Sequence, residues 1–278
     1  MKLAPRKHKI KKVEYFSGWI DPSNGKETFA KAEMLRNDNS RQTAGSIAPG
    51  QTAFTQRERR IISDFRTPRA VQRFLNALPY NTNSSSNGLT LRSFRGVIKH
   101  QTAHCLEAVL TAAVILEQHG YPPTVMSFES IDQLDHVIFV HRHAGLWGSV
   151  ARSRDPGLHG RKPRFRTPRA LALSYVEPYV DLTGRITGYA VVDLRDLGRY
   201  DWRFSNRNVW KVERMLLEYP HHTIRTSDHK ISRWRTRYKS FSARFPGKKP
   251  MFFSDQNYWS ELPIEFARPV GRGSTRRV

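Results

Sequence analysis

A single thiol, Cys105, sits among residues that could turn it into a nucleophile. A cysteine attacks as the thiolate, so it needs a base to take its proton and a third group to orient that base. Both kinds of residue follow in chain order, His136 as base and Asp155 as orienter. They flank a predicted hairpin closed at Ala144-Gly145. Symmetric closure puts position 143 opposite 146 and position 136 opposite Ser153. Asp155, two residues further on, then lies on the same face as His136 and diagonal to it. A bulge in the hairpin would reverse that parity.

The elements that must position these groups are legible in part. From Thr102 to Gly120 the chain reads as one helix, apolar on almost every face, with a thin polar line through Glu107, Thr111 and Gln118. Such a helix belongs inside a domain. Thr102 or His104 can cap its start, and Gly120 with Pro122-Pro123 ends it. The thiol therefore stands at the positive end of a buried helix, which favours thiolate. Upstream, Thr67-Pro68 opens a helix and Ser93 precedes a shorter one. Downstream, 124–130, 136–143 and 146–153 alternate as strands. A loop is expected from 154 to 166, a helix after Thr167-Pro168, and a second hairpin from 179–182 and 187–194. An amphipathic helix over 208–219 and a basic, aromatic-rich stretch from 233 to 239 follow.

The order of a buried Cys-headed helix, a strand with His and a neighbouring strand with Asp resembles the transglutaminase-like cysteine hydrolase superfamily, whose fold is papain-related. The residues that carry the likeness are Ala103-His-Cys105-Leu-Glu-Ala, Leu116 with Gly120-Tyr, Asp135-His136, Gly145-Leu-Trp147-Gly and Asp155-Pro156. Leu78-Pro-Tyr80 and Thr90 with Ser93 extend it upstream, so that it covers roughly 60–160. The resemblance implies an α+β fold in which the Cys helix packs on an antiparallel sheet. It also implies thiol chemistry on amides, by hydrolysis or acyl transfer, with a peptide or protein substrate and no metal or organic cofactor. Cys105 would be nucleophile, His136 base and Asp155 orienter. Backbone N–H groups at the helix start would hold the oxyanion, with Gln101, His104 and Trp147 as accessory residues. By simple count the family's acid falls at Ala151, so Asp155 takes the role only through a longer stretch. Some members of the family bind without catalysing, which leaves a catalytically silent binding module as the alternative.

Composition adds a second theme. Lys+Arg 47 against Asp+Glu 24 gives a net charge of +23, an attraction for polyanions such as nucleic acid or an acidic protein. Arg152, Arg154, Arg161, Lys162 and Arg164 cluster after the hairpin as candidate contacts for an anionic partner. His100 and His104 have the i, i+4 spacing of a zinc helix, but Gln101 stands where a metalloprotease needs its glutamate. The pair His141 and His143 is no stronger as a metal site. No apolar run reaches the length of a membrane span, and one cysteine suits a reducing cytoplasm. The expected organisation is a basic, largely disordered arm at 1–56 and a transglutaminase-like domain at 57–200. A helical, aromatic and basic elaboration at 201–267 and a basic tail at 268–278 complete it.

Overall fold

A computed structural model describes residues 48–82, 89–133 and 135–266. The expected N-terminal arm up to residue 47 and the C-terminal tail lie outside the described residues. Helix α1 (Gln56–Asp64) starts with a capping box between Thr55 and Glu58. Helix α2 (Pro68–Ala77) starts with Thr67 as cap and proline in its first turn. In α3 (Phe94–His100) the Ser93 hydroxyl accepts from Gly96 N–H. Each cap supplies one of the partners that a helix start lacks. Helix α4 (Cys105–Glu117) follows, buried along nearly its whole length. It ends where Gly120 takes a φ of +82°, a backbone state glycine reaches without strain.

The sheet is wholly antiparallel. Its strands are β1 (Thr124–Ser130), β2 (His136–His143), β3 (Leu146–Val150), β4 (Arg161–Phe165), β5 (Ile186–Asp193) and β6 (His222–Thr223), in the spatial order β4-β3-β2-β1-β5-β6. Between β2 and β3 the register runs from His143 opposite Leu146 to Phe139 opposite Val150. That is the hairpin expected about Ala144-Gly145, but the ladder stops at Val150.

Side-chain alternation sends alternate strand residues into two cores. Val125, Val137, Phe139, Val150, Ala190 and Val192 face α4 and its neighbouring helices. Met126, Phe128, Ile138, Val140 and Ile186 face the other way, onto Leu171, Ala172, Tyr175 and Val176. These belong to α5 (Pro168–Leu173), the turn after it and α6 (Val176–Tyr179). Both faces of β2 are covered, which is why its sequence reads as a nearly continuous apolar run. Fully buried aliphatics such as Leu110, Ile115 and Leu116 in α4 contribute about 1.5–3 kcal/mol each through burial.

Three expectations are corrected. Residues 179–182, expected as a strand, form none: Tyr179 ends α6 (Val176–Tyr179), 180–182 leave it as irregular chain, and β5 pairs with β1 instead. The expected loop contains strand β4, an edge strand that tolerates Pro163. The boundaries at 57 and 200 fall inside one core. Phe54 on one side, and Trp202, Val209, Val212 and Leu216 on the other, belong to the same buried cluster as α4. Arg203 pairs with Glu117 at 2.7 Å where both are buried, which ties the chain after β5 to the end of α4. Helix α7 (Trp210–Glu218) supplies Val212 and Leu216, and α8 (Asp228–Arg244) leans Trp234 on the second core. Among the described residues no helix is long and apolar enough to cross a membrane.

Candidate active site

Cys105 is the first residue of α4, and the segment before it is held by backbone pairing. Ala103 donates its N–H to Pro79 O at 3.2 Å and accepts from Asn81 N–H at 3.2 Å. This lays residues 79–81 beside the helix start. Glu107, with no exposed surface, clamps the rest. Its carboxylate accepts from the N–H groups of His104 at 3.1 Å and Arg92 at 2.9 Å, from Asn81 Nδ2 at 2.9 Å and from the Thr90 hydroxyl at 3.2 Å. A carboxylate with this many donors can remain in the interior. It also meets the positive end of the helix.

Two imidazoles flank the thiol. His136 opens β2 and is 4% exposed. Its ring is stacked with Phe128 at 6.1 Å and packed against Tyr175. Its Nε2 lies 3.0 Å from the carbonyl oxygen of Leu158. His104 places Nε2 2.9 Å from the carbonyl oxygen of Thr90. A carbonyl only accepts, so in both rings Nε2 carries the proton. Nδ1 is the nitrogen left for the thiol.

The electrostatics follow from this geometry. Burial opposes ionisation of Cys105, but hydrogen bonds and charge from His104 and His136 outweigh it and bring the thiol down to about 5. Burial also opposes a charged His104. The bond and charge of Cys105, then Glu107 and the Thr90 carbonyl, nevertheless raise it to about 9. The result is a thiolate beside an imidazolium across neutral pH. The cysteine itself is partly accessible. Tyr80 completes the setting. Its hydroxyl lies within hydrogen-bonding reach of both the backbone N–H and the thiol of Cys105, and burial raises its pKa. Glu213 of α7 is close enough for the charges of His104 and Cys105 to act on it.

The residues expected at the site part company here. The structure brings Cys105, His136 and His104 together. Asp155 is not on the imidazole: its carboxylate accepts from Lys249 Nζ at 2.6 Å in a half-exposed pair. The partner of His136 is the Leu158 carbonyl, because beyond Val150 the chain leaves the ladder and turns through a short 3-10 helix at Pro156–Leu158. Gln101 caps α3 in a left-handed conformation, φ 55°, and its amide donates to Ile98 O at 2.7 Å, so that amide is held by its own helix. Trp147 is opposite Arg142, six residues along β2 from His136, or about 20 Å at 3.4 Å per residue.

The cationic cluster divides as well. Arg152 is buried and paired with Glu265 at 2.8 Å. Arg161 has no exposed surface. It donates to the carbonyl oxygens of His159, Gly157 and Ser174 and lies 4.0 Å from the Tyr175 ring centroid. Neither can meet a partner. Arg154, Lys162 and Arg164 are exposed. Tyr80 and Glu107 were missed as site residues. Glu107 sits three residues after a capping position, a signal the sequence did carry. Tyr80 depends on a backbone pairing that local pattern does not reveal. Among the described residues no group of three or more His, Cys, Asp or Glu side chains is arranged to hold a metal ion.

No family model and no curated protein matches this chain. Among solved structures it is similar to LapG of Legionella pneumophila, in an EGTA-treated form, at 11% identity with a TM-score of 0.31, over 54% of this chain and 89% of that one. The calcium-bound form of the same protein gives 11% identity and a TM-score of 0.29, over 59% and 94%. This is a weak structural relationship.

Proposed function

We propose that the chain is a thiol enzyme that attacks the amide or ester carbonyl of a peptide or protein, with Cys105 as nucleophile and His136 as general base. The observation that carries this reading is a partly accessible thiol at a helix start, flanked by two imidazoles whose Nε2 atoms are both committed to carbonyls. The Cys105 thiolate, its proton already taken by His136, adds through Sγ to the substrate carbonyl carbon. The oxyanion is received by the Cys105 N–H, with Tyr80 O–H as second donor. The tetrahedral intermediate collapses as its C–N bond breaks, and His136 gives the proton to the leaving nitrogen. A thioester remains on Cys105. Water or an amine then adds to it, losing a proton to His136, and the C–S bond breaks. His104 stays protonated throughout and steadies the sulfur anion.

The test is reaction with p-nitrophenyl acetate, an activated ester that needs no specific pocket. One equivalent of nitrophenolate should appear in a burst, with the acetyl group located on Cys105 by mass spectrometry. The burst should be absent in Cys105→Ser and slowed in His136→Ala. Nitrophenolate release that is equal in the parent and Cys105→Ser would sink the proposal.

A further inference from the structure

A second, separate recess lies toward the other end of β2. It is a cavity of ≈ 670 Å³, lined by His141, Tyr121, Pro163 and the first turn of α2. That size suits a small molecule. His141 is five residues along β2 from His136, about 17 Å at 3.4 Å per residue, so the cavity is not the thiol site.

His141 is the unusual group. It is 7% exposed, and its Nδ1 is buried without a hydrogen-bond partner. Nε2 looks across Gly148, where an added Cβ would come within 2.9 Å of it. The edge of the Tyr121 ring packs against the imidazole at 6.3 Å. A buried polar nitrogen without a partner is costly and calls for an explanation. Burial, then the charge of His143, lowers its pKa to about 4, so at neutral pH it offers one donor and one acceptor.

The rim is basic. Arg69, Lys162 and Arg164 are exposed around the opening. The one acid on it, Glu261, is taken by Arg69 at 2.5 Å, and Lys162 donates to Asn257 O at 3.0 Å. Thr67 and Pro68 bring the positive end of α2, a ten-residue helix, to the same opening. Pro68, Pro163 and the Tyr121 ring provide apolar wall.

We propose that this cavity binds a small organic anion, a carboxylate carried on a flat apolar body. The carboxylate would lie between Arg164 and the start of α2 and accept from the His141 imidazole, and the apolar body would rest on Pro68, Pro163 and the Tyr121 ring. The site stands apart from the proposed thiol chemistry and does not depend on it.

The probe is 1-naphthoate, added to the full chain with 13C-labelled histidine rings and followed by NMR. The His141 ring signals should shift saturably at micromolar to low-millimolar concentrations, on the order of affinities for one small ligand. Cys105→Ser should bind as the parent does. Arg164→Glu and His141→Leu, checked for folding by circular dichroism, should each bind at least tenfold more weakly by tryptophan fluorescence. The neutral analogue 1-naphthalenemethanol should also bind at least tenfold more weakly. An unmoved His141 signal at saturating naphthoate would overturn the proposal, and that reading needs no variant. So would equal binding of the neutral analogue, or unchanged affinity in folded Arg164→Glu.

Discussion

Replacing His104 by glutamine tests how the thiol is ionised. Glutamine keeps an N–H donor for the Thr90 carbonyl but removes the imidazolium. An opposite charge beside an ionisable group is worth about 1–3 pKa units. The Cys105 midpoint should therefore climb from about 5 to roughly 6–8. At pH 6 the thiolate fraction would fall from about nine-tenths to between a half and a hundredth. The sign for the native pair follows from its two shifts. The depressed thiol stabilises the fold above its ordinary pKa, and that contribution is lost as pH falls through about 5. The raised imidazole stabilises it below the ordinary histidine value, and that contribution is lost as pH rises through about 9. The charged pair thus persists between these limits. Thiolate absorbance near 240 nm, read as the difference from Cys105→Ser, reports the midpoint directly because the chain has one cysteine. A parent midpoint at 8 or above would refute the reasoning. So would a parent midpoint near 5 that His104→Gln leaves in place.

Other consequences are as specific. Asp155→Asn should leave thiol reactivity within about twofold of the parent and cost about 0.2–1 kcal/mol in chemical denaturation, because the pair it breaks with Lys249 is half-exposed. Tyr80→Phe should slow the acylation burst by about 10²-fold, the scale of one oxyanion donor, while circular dichroism stays native. Glu107→Ala should leave the N–H groups of His104 and Arg92 without their acceptor. It should cost roughly 3–5 kcal/mol, seen as a Tm lowered by about 10 °C.

Much of what positions the thiol was legible because it is local. The Thr67-Pro68, Ser93 and Thr167-Pro168 helix starts are short-range chemistry, and so is the stop at Gly120. The β2–β3 register followed from a two-residue turn. What was not legible depends on distant partners. β4 has no apolar alternation because its inward residue is Arg161, made acceptable by carbonyls of His159, Gly157 and Ser174. Asp155-Pro156 reads equally as a catalytic acid and as a turn opener, and only the end of the ladder at Val150 separates the two. His104 looked out of place beside a nucleophile until Glu107 and the Thr90 carbonyl supplied its surroundings. Tyr80 reaches Cys105 through the pairing of residue 80 with Ala103, which no periodicity encodes.

The most direct measurement is the pH dependence of iodoacetamide alkylation of Cys105, in the parent and in His136→Ala. A thiol with a pKa near 5 has about 300 times the thiolate of an ordinary cysteine at pH 6, but only about 4 times at pH 8. Its intrinsic nucleophilicity is lower by about 40-fold, given a Brønsted slope of about 0.4–0.5. The parent should therefore react about 7 times faster than a free thiol at pH 6 and about 10 times slower at pH 8, with a nearly flat profile between. His136→Ala should lose the advantage at pH 6 and regain a slope. A parent rate that rises tenfold per pH unit from 6 to 8, unchanged by His136→Ala, would make Cys105 an ordinary core thiol and contradict the account.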